Sequence, residues 1–372
     1  VGVGCVRPDA VALGGRRDSP GPDRAGSRAG EAARGGGFLV RFPWQLQWTL
    51  TKYIVGNALR GKKRYPFVLM LEPTHLCNLA CEGCGKIREF ESTIRDMLSV
   101  ETCLKAVEDC EAPIVSVCGG EPTIYPHLGE LVDELLKRKK FIYLCTNAIK
   151  LEKFLRQWKP SPYLTINVSM DGLEPTHDLI RSRKGLYQID IRMIKLAKSL
   201  GFRVVTNTTI YKETKLEETE QLFAELAGIG VDGFLVTPGY EYTILKGRDI
   251  FLEKQQTHEK FQHIWEMSKR YRILSTPMYL RFLKGERDLK CSPWGGPNYN
   301  PQGWKGPCYL ITDAHYRTFD ELMTRTDWEK FENKRDPRCT NCMMHSGFEH
   351  TVVREMGKSW KDLWEMLRWN LA

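Results

Sequence analysis

From Phe67 onward, short runs rich in β-branched and aromatic residues alternate with stretches of helical period. The runs predict strands at Phe67–Glu72, Ile114–Cys118, Phe141–Thr146, Leu164–Met170, Arg203–Thr209 and Gly233–Thr237. Between them the pattern predicts helices near Val100–Cys110, Leu128–Lys139, Leu151–Gln157, Ile189–Leu200 and Leu216–Ile229, with Gly201 and Gly230 as stops past the last two. Such alternation implies a parallel sheet with right-handed crossovers. The predicted fold class is α/β: a partial (βα)6 TIM-like barrel, open rather than closed. Its chemistry should gather at the C-terminal ends of the strands.

The flanks read differently. Residues 1–37 are rich in Gly and Arg and lack the apolar core of a signal peptide, so disorder is expected. Residues 38–65 are predicted as an amphipathic N-terminal helix, with Phe42, Trp44, Leu46, Trp48, Leu50, Tyr53, Ile54 and Leu59 on a broad apolar side and Arg60, Lys62, Lys63 and Arg64 at its end. Such a side packs against a barrel bottom or lies on lipid; packing is the commoner use. The barrel is assigned to 66–250 and a helical connection to 251–284. A small cysteine-rich C-terminal extension is predicted for 285–350, and a C-terminal helix for 351–372.

Composition narrows the class. The 372 residues are 42% hydrophobic, enough for a barrel-sized core. No run is long and apolar enough to span a bilayer. Twelve cysteines without a secretion signal point to a reducing compartment, and their clustering favours metal over disulfides. The expected location is cytoplasmic, with a peripheral position at the inner membrane surface as the variant. The net charge of +9 suits an anionic surface or ligand. The arginines are scattered and no nucleic-acid module is seen, so no nucleic-acid partner is expected.

Candidate chemistry falls where the fold predicts it. Cys77, Cys81 and Cys84 form C-x3-C-x2-C just after the first strand. Three thiolates on a short loop hold three corners of a cubane cluster and leave one iron open to a small molecule. A structural zinc site would want four ligands. Gly119-Gly120-Glu121-Pro122 ends the second strand; its glycines admit a close ligand and its carboxylate suits an ammonium group, a plain turn being the alternative. Ser169, Asp171 and Gly172 end the fourth strand and Asn207 lies on the fifth, placed for a ligand or for capping. His177, Asp178 and Arg181 follow as a polar cluster, expected as a salt bridge on the rim. Cys145 ends the third strand, where a thiol faces the chamber as a hydrogen-atom donor or fills the core as a small hydrophobe. Cys103, Cys110 and Cys118 are expected in the core. In the extension, Cys291 and Cys308 bracket a Gly/Pro/Trp-rich hairpin, and Cys339 and Cys342 form C-x2-C with His345 beyond. A separated pair plus C-x2-C signals metal: an iron–sulfur cluster first, zinc second, four reduced thiols as the structural alternative.

The cysteine triplet resembles the hallmark of the radical S-adenosylmethionine (SAM) superfamily. That resemblance implies a 4Fe–4S cluster on Cys77, Cys81 and Cys84, with SAM chelating the open iron as cosubstrate and cleaved to a 5′-deoxyadenosyl radical. It implies that Gly119, Gly120 and Glu121 meet the methionine amine, that Ser169 and Asp171 meet the ribose or the methionine carboxylate, and that Asn207 contacts SAM. It further implies a flavodoxin- or ferredoxin-type electron donor, and it likens the C-terminal cysteines to auxiliary-cluster extensions. One departure is Gly83, where many members carry an aromatic beside adenine; here that wall must come from elsewhere.

Over roughly residues 50–350 the chain is similar to the adenosylhopane-forming radical SAM enzymes of bacterial hopanoid biosynthesis (the adenosyl-hopene transferases). The likeness rests on Lys63-Arg-Tyr-Pro66, Leu71-Glu-Pro73, Cys84-Gly-Lys-Ile87, Tyr143-Leu-Cys-Thr-Asn147, Ser161-Pro-Tyr163, Pro293-Trp-Gly295, Gly303-Trp304, Pro307-Cys-Tyr-Leu310, and Cys342-Met343 with His345. It implies addition of the 5′-deoxyadenosyl radical to the double bond of a hopene-like terpenoid, with Cys145 quenching the resulting radical. Ser169 stands where that family usually has His, Ser346 where it often has Cys, and Cys118 where a smaller residue is usual; these changes bear on the substrate more than on the reaction. The alternatives are a radical SAM enzyme that modifies a peptide or another terpenoid, and a non-catalytic metal-binding scaffold.

Overall fold

The computed structural model describes residues 40–245 and 247–371; the stretch expected to be disordered lies outside them. Six strands, β1 (Val68–Leu71), β2 (Ile114–Val117), β3 (Phe141–Thr146), β4 (Leu164–Ser169), β5 (Arg203–Ile210) and β6 (Gly233–Pro238), pair in parallel in chain order. Each lies within two residues of its expected bounds. Helices Val100–Cys110, Leu128–Lys137, Leu151–Gln157, Leu186–Ser199 and Leu216–Ile229 make the crossovers. Ser99 Oγ caps the first by accepting from Thr102 N, and Gly230 ends the last at φ +89°, where a Cβ would be strained. The helix expected from Ile189 begins at Leu186 instead. The Asp178 carboxylate, far off in the local pattern, accepts from Tyr187 N at 2.9 Å and fixes the first turn.

The barrel stays open because the C-terminal segment occupies its free edge. β7 (Asn298–Asn300) pairs in parallel with β1, and β8 (Gly303–Pro307) and β9 (Thr312–Tyr316) follow antiparallel, giving nine strands in the order β6-β5-β4-β3-β2-β1-β7-β8-β9. The cysteine-rich segment thus continues the sheet rather than standing apart from it. The connection over 251–284 forms helices Lys254–Met267 and Pro277–Leu283. The expected C-terminal helix is two, His345–Glu355 and Trp360–Leu371, separated by a 3-10 turn around Gly357.

Strand alternation decides what faces the barrel interior. Leu69 and Leu71, Val115 and Val117, and Ile166 and Val168 share one parity and pack fully buried against the helices. The opposite parity, Val68 and Met70, Ser116 and Cys118, Tyr143 and Cys145, Asn167 and Ser169, lines a cavity of about 670 Å³. That cavity runs from the loops above the strands to the N-terminal helix, Trp44–Leu59, and the C-terminal helix at the other end. A closed eight-stranded barrel fills this space with layered side chains; here it is hollow along its length.

Candidate active site

Cys77, Cys81 and Cys84 sit on the loop after β1, free of disulfides, half-buried and lining the cavity. Burial pushes the Cys77 thiol up to about 12, and the neighbouring Glu121, Cys81 and Cys84 add to it. Among the described residues no three or more His, Cys, Asp or Glu side chains are already drawn into a metal cage. The donor chemistry nonetheless fits an iron–sulfur cluster: three soft thiols on one loop, facing one chamber.

The loop is welded to the β2 turn by the glycine pair. Gly120 N donates to Thr74 O at 3.0 Å and Glu121 N to Leu76 O at 2.8 Å. A Cβ on Gly119 would fall 2.4 Å from Thr74 O, and one on Gly120 2.0 Å from Leu76 O. The close approach these glycines permit is therefore first that of the chain's own cysteine loop. Glu121 is committed in a similar way: Oε1 accepts from Thr123 N, Thr123 Oγ1 and Thr146 Oγ1, and Oε2 from Asn147 N at 2.8 Å. It stitches the β2 and β3 ends and keeps acceptor capacity only on Oε2.

At the β4 end, Asp171 is buried. Its Oδ1 accepts from Thr209 N at 2.9 Å and its Oδ2 lies 2.6 Å from Arg181 Nη2. Asp171 is thus bound to protein groups rather than left open for a ribose. Ser169 and Asn207, register partners on β4 and β5, line the cavity. The polar cluster expected on the rim separates into three. Arg181 takes Asp171; His177, fully buried, takes Asp190 at 3.0 Å through Nε2 and accepts from Asp171 N through Nδ1; Asp178 caps the following helix. Cys145 Sγ lies 3.4 Å from Ser116 Oγ and accepts from Asn167 Nδ2 at 3.4 Å, and it lines the cavity. Cys118, expected in the core, lines the cavity as well, because it shares the parity of Ser116. Cys103 and Cys110 are in the core.

Two features escaped the sequence. The first is an aromatic beside Gly83: Tyr211, from the loop after β5, lies so close that a Cβ on Gly83 would meet its Oη at 2.6 Å. The second is a buried network beneath the cysteine loop, in which Lys86 Nζ lies 2.7 Å from Glu72 Oε1 and His75 Nε2 3.2 Å from Glu72 Oε2. Burial works against the Glu72 carboxylate, but Lys86 and His75 hold it well below the usual range. Glu72 and Lys86 both lie within the short motifs singled out above, though no pattern says that they pair.

The four C-terminal cysteines flank the added strands: Cys291 precedes β7, Cys308 follows β8, and Cys339 and Cys342 lie on one turn, where Cys342 N donates to Cys339 O at 3.1 Å. Each is half-buried, and each of the other three is close enough to Cys291 to raise its thiol pKa, after burial. The fold therefore gathers them into one neighbourhood without forming a finished cage.

Residues 71–226 match the Radical SAM superfamily, and residues 234–366 match a domain of unknown function, DUF3463. The chain is 25% identical to the antilisterial bacteriocin subtilosin biosynthesis protein AlbA of Bacillus subtilis, over 68% of this chain and 57% of that one. It is 26% identical to the GTP 3′,8-cyclase of Vibrio vulnificus, over 41% and 48%. The chain thus spans about half the length of these two relatives. Fe-coproporphyrin III synthase of Methanosarcina barkeri is 26% identical over 84% of this chain and 90% of its own. Among solved structures, Streptococcus suis SuiB bound to precursor peptide SuiA shares the fold at TM-score 0.57 and 15% identity, over 86% of this chain and 79% of that one. None of these relatives carries the narrower likeness to adenosylhopane-forming enzymes. Residues 71–226 thus carry the match to the Radical SAM superfamily, whose members bind a 4Fe–4S cluster and SAM.

Proposed function

We propose that the protein is a radical SAM adenosyltransferase that joins the 5′-deoxyadenosyl group to an alkene carbon of a bulky apolar substrate of the hopene type. In this reading Cys77, Cys81 and Cys84 hold the cluster, and the Gly119–Glu121 turn, Ser169 and Asn207 frame SAM. Asp171 acts through Arg181, and Tyr211 supplies the wall absent at Gly83. The chemistry supplied by the bound cofactors is one-electron reductive cleavage of SAM to methionine and a 5′-deoxyadenosyl radical, the electron coming from a flavodoxin- or ferredoxin-type donor.

The observation that supports an apolar substrate is the cavity itself. Below the cysteine loop its lining includes Met70, Leu235, Leu274, Leu46, Leu50 and Met366, with Thr276, His345, Glu349 and His350 as polar groups among them. Such a largely apolar lining gives room for a hydrocarbon beside a polar cosubstrate. Cys145 lines the same cavity. Its S–H can pass a hydrogen atom to a substrate radical, leaving a sulfur radical that takes up one electron and one proton from the external reductant.

A second reading, peptide modification, draws support from the relatives: AlbA is a bacteriocin biosynthesis protein, and SuiB was solved with a precursor peptide. One experiment separates the two. Reconstituted protein is incubated anaerobically with SAM, reductant and a bacterial lipid extract, and the products are analysed by mass spectrometry. The apolar reading predicts an adenosylated lipid, absent from a Cys77/Cys81/Cys84→Ala variant. Free 5′-deoxyadenosine with no adenosylated lipid would sink it and favour the peptide reading.

A further inference from the structure

The C-terminal helix carries apolar residues on its outer side as well as its inner side. Its acidic residues point inward and are tied down: Asp362 to Arg287 at 2.7 Å and Glu365 to Arg281 at 2.8 Å, while Trp369 stacks on Trp265. Its outward face carries Trp360 (81% exposed), Trp364 (57%) and Leu371 (63%), with Leu367 partly exposed where it also borders the cavity. Their spacing of i, i+4, i+7, i+11 makes one continuous stripe. The N-terminal helix repeats the arrangement. Leu46, Leu50 and Ile54 face the cavity, whereas Trp44, Trp48 (64% exposed), Val55 and Leu59 (84%) share the outward face at i, i+4, i+11 and i+15, with Thr51 between them. The two helices meet at one end: Arg41 N donates to Asn370 O at 3.0 Å and Phe42 N to Asn370 Oδ1 at 2.7 Å.

Exposed Trp and Leu on two helices tied together at one end mark an interaction surface rather than ordinary solvent-facing side chains. Charge selects that partner. Between Trp44 and Pro66 there are five basic residues, Lys52, Arg60, Lys62, Lys63 and Arg64, and no Asp or Glu; Lys62 and Arg64 also pair with Glu111 and Glu332. Lys361 and Arg368 are exposed on the C-terminal helix. Trp beside Lys and Arg is the chemistry of a bilayer interface, where rings sit at headgroup depth and cations meet anionic lipid. Among the described residues no helix is long and apolar enough to cross a membrane; helices of this length with Trp and Lys on one side lie along an interface.

We infer that helices Trp44–Leu59 and Trp360–Leu371 together dock the protein on an anionic lipid bilayer, with the end of the barrel cavity that they line facing the lipid. The same two helices supply Leu50, Ile54, Leu363 and Met366 to the cavity wall, so a lipid-dissolved substrate enters between them without crossing water. This delivery role rests on the apolar-substrate reading above; the docking does not.

The test is flotation of the full-length, cluster-loaded protein with vesicles of phosphatidylcholine alone and of phosphatidylcholine mixed with phosphatidylglycerol. Binding should favour the anionic vesicles. A Trp48→Ala/Trp364→Ala variant, altered only at exposed positions, should bind at least about tenfold more weakly. Trp48→Phe/Trp364→Phe should retain most of the binding. Lys52→Glu/Arg60→Glu should abolish the preference for anionic lipid. Protein that stays in the aqueous phase with both vesicles overturns the proposal, as does a self-association that the Trp→Ala variant dissolves without any vesicle binding. A protein that floats but yields no adenosylated lipid keeps the docking surface and loses the substrate reading. One that adenosylates detergent-dispersed lipid without floating does the reverse.

Discussion

Arg181 joins the cysteine loop to the end of β4: its Nη2 lies 2.6 Å from Asp171 Oδ2, and its Nη1 donates to Cys81 Sγ at 3.9 Å. A planar guanidinium serves both partners at once; a lysine ammonium on a flexible stem does not. Arg181→Met leaves the buried Asp171 carboxylate without its counter-ion and should cost about 3 kcal/mol of stability, read as a lower denaturant midpoint. Arg181→Lys should recover most of that stability but not the Cys81 contact, so its iron content after reconstitution should stay low. Equal iron loading in Arg181→Lys and the unaltered protein would separate Arg181 from the cysteine loop.

Glu72 and Lys86 form a pair with almost no solvent access. Breaking such a pair is costly, whereas replacing both charges is often tolerated. Lys86→Met alone should destabilise by about 3 kcal/mol, and Glu72→Gln/Lys86→Met by clearly less than the sum of the single changes. Because the Glu72 carboxylate is held low in the folded state, its contribution is present above the unfolded carboxylate pKa of about 4.3 and is lost as pH falls below it. Strict additivity in the cycle, at neutral pH, would deny the coupling.

The six strands and five crossover helices are legible because each carries a local signal: Val, Ile and Phe runs, a Ser cap at Ser99, a Gly stop at Gly230. The cysteine triplet is legible because its spacing is local too. What the pattern hides are relations between distant residues. Asp178 caps a helix from outside it, Tyr211 fills the space before Gly83, and Lys86 reaches back to Glu72. The strand-end position of Asp171 suggests a ligand contact, yet position does not reveal that Arg181 and Thr209 already hold it. Similarly, the apolar residues of the N-terminal helix are visible in the sequence, but one helix serving cavity and solvent on opposite sides needs the C-terminal helix beside it to be recognised.

Glu349 lines the lower cavity, where burial pushes its carboxyl up to about 7 against hydrogen bonds from Thr276 N and Oγ1, both at 2.8 Å. Its folded pKa exceeds the unfolded value of about 4.3. Stability from this group is therefore complete below that value and falls by about 1.4 kcal/mol per pH unit as pH rises to its folded pKa. Glu349→Gln keeps an acceptor for Thr276 and removes the titration. Against the unaltered protein, the variant should gain stability progressively between about pH 5 and pH 7 and hold that gain at about pH 8, read from urea midpoints. Parallel curves across that range would place the carboxyl at an ordinary pKa.

Cys291, Cys308, Cys339 and Cys342 should bind metal as one set. Four thiol donors complete a coordination sphere, so the site should be closed and structural, unlike a three-cysteine site with an open iron. Iron, sulfide and zinc measured on the Cys77/Cys81/Cys84→Ala variant report this site alone. Cys339→Ser in that background should remove most of the remaining metal and lower the melting temperature. No metal in the triplet variant after anaerobic reconstitution would leave four reduced thiols in a packed segment.

Cys145 carries the most exposed prediction. Adding an adenosyl radical to an alkene leaves a tertiary carbon radical, which must gain a hydrogen atom or fragment back. The Cys145 thiol faces the cavity at mid-depth, with Ser116 Oγ and Asn167 Nδ2 each 3.4 Å from its sulfur. Burial raises its pKa above the ordinary thiol value, which keeps the proton on sulfur and so keeps an S–H bond to donate. Cys145→Ala removes the donor and a small volume, and it should leave SAM cleavage intact. The adenosylated product should fall, lose stereochemical purity, or give way to an unsaturated by-product two hydrogens lighter. Incubation in deuterated water adds a positive test: solvent deuterium should appear at the quenched carbon with the unaltered enzyme and diminish in Cys145→Ala, because only an exchangeable donor such as S–H carries it there. A folded, cluster-loaded Cys145→Ala enzyme with an unchanged product ratio and unchanged deuterium content would reduce this thiol to a wall of the chamber.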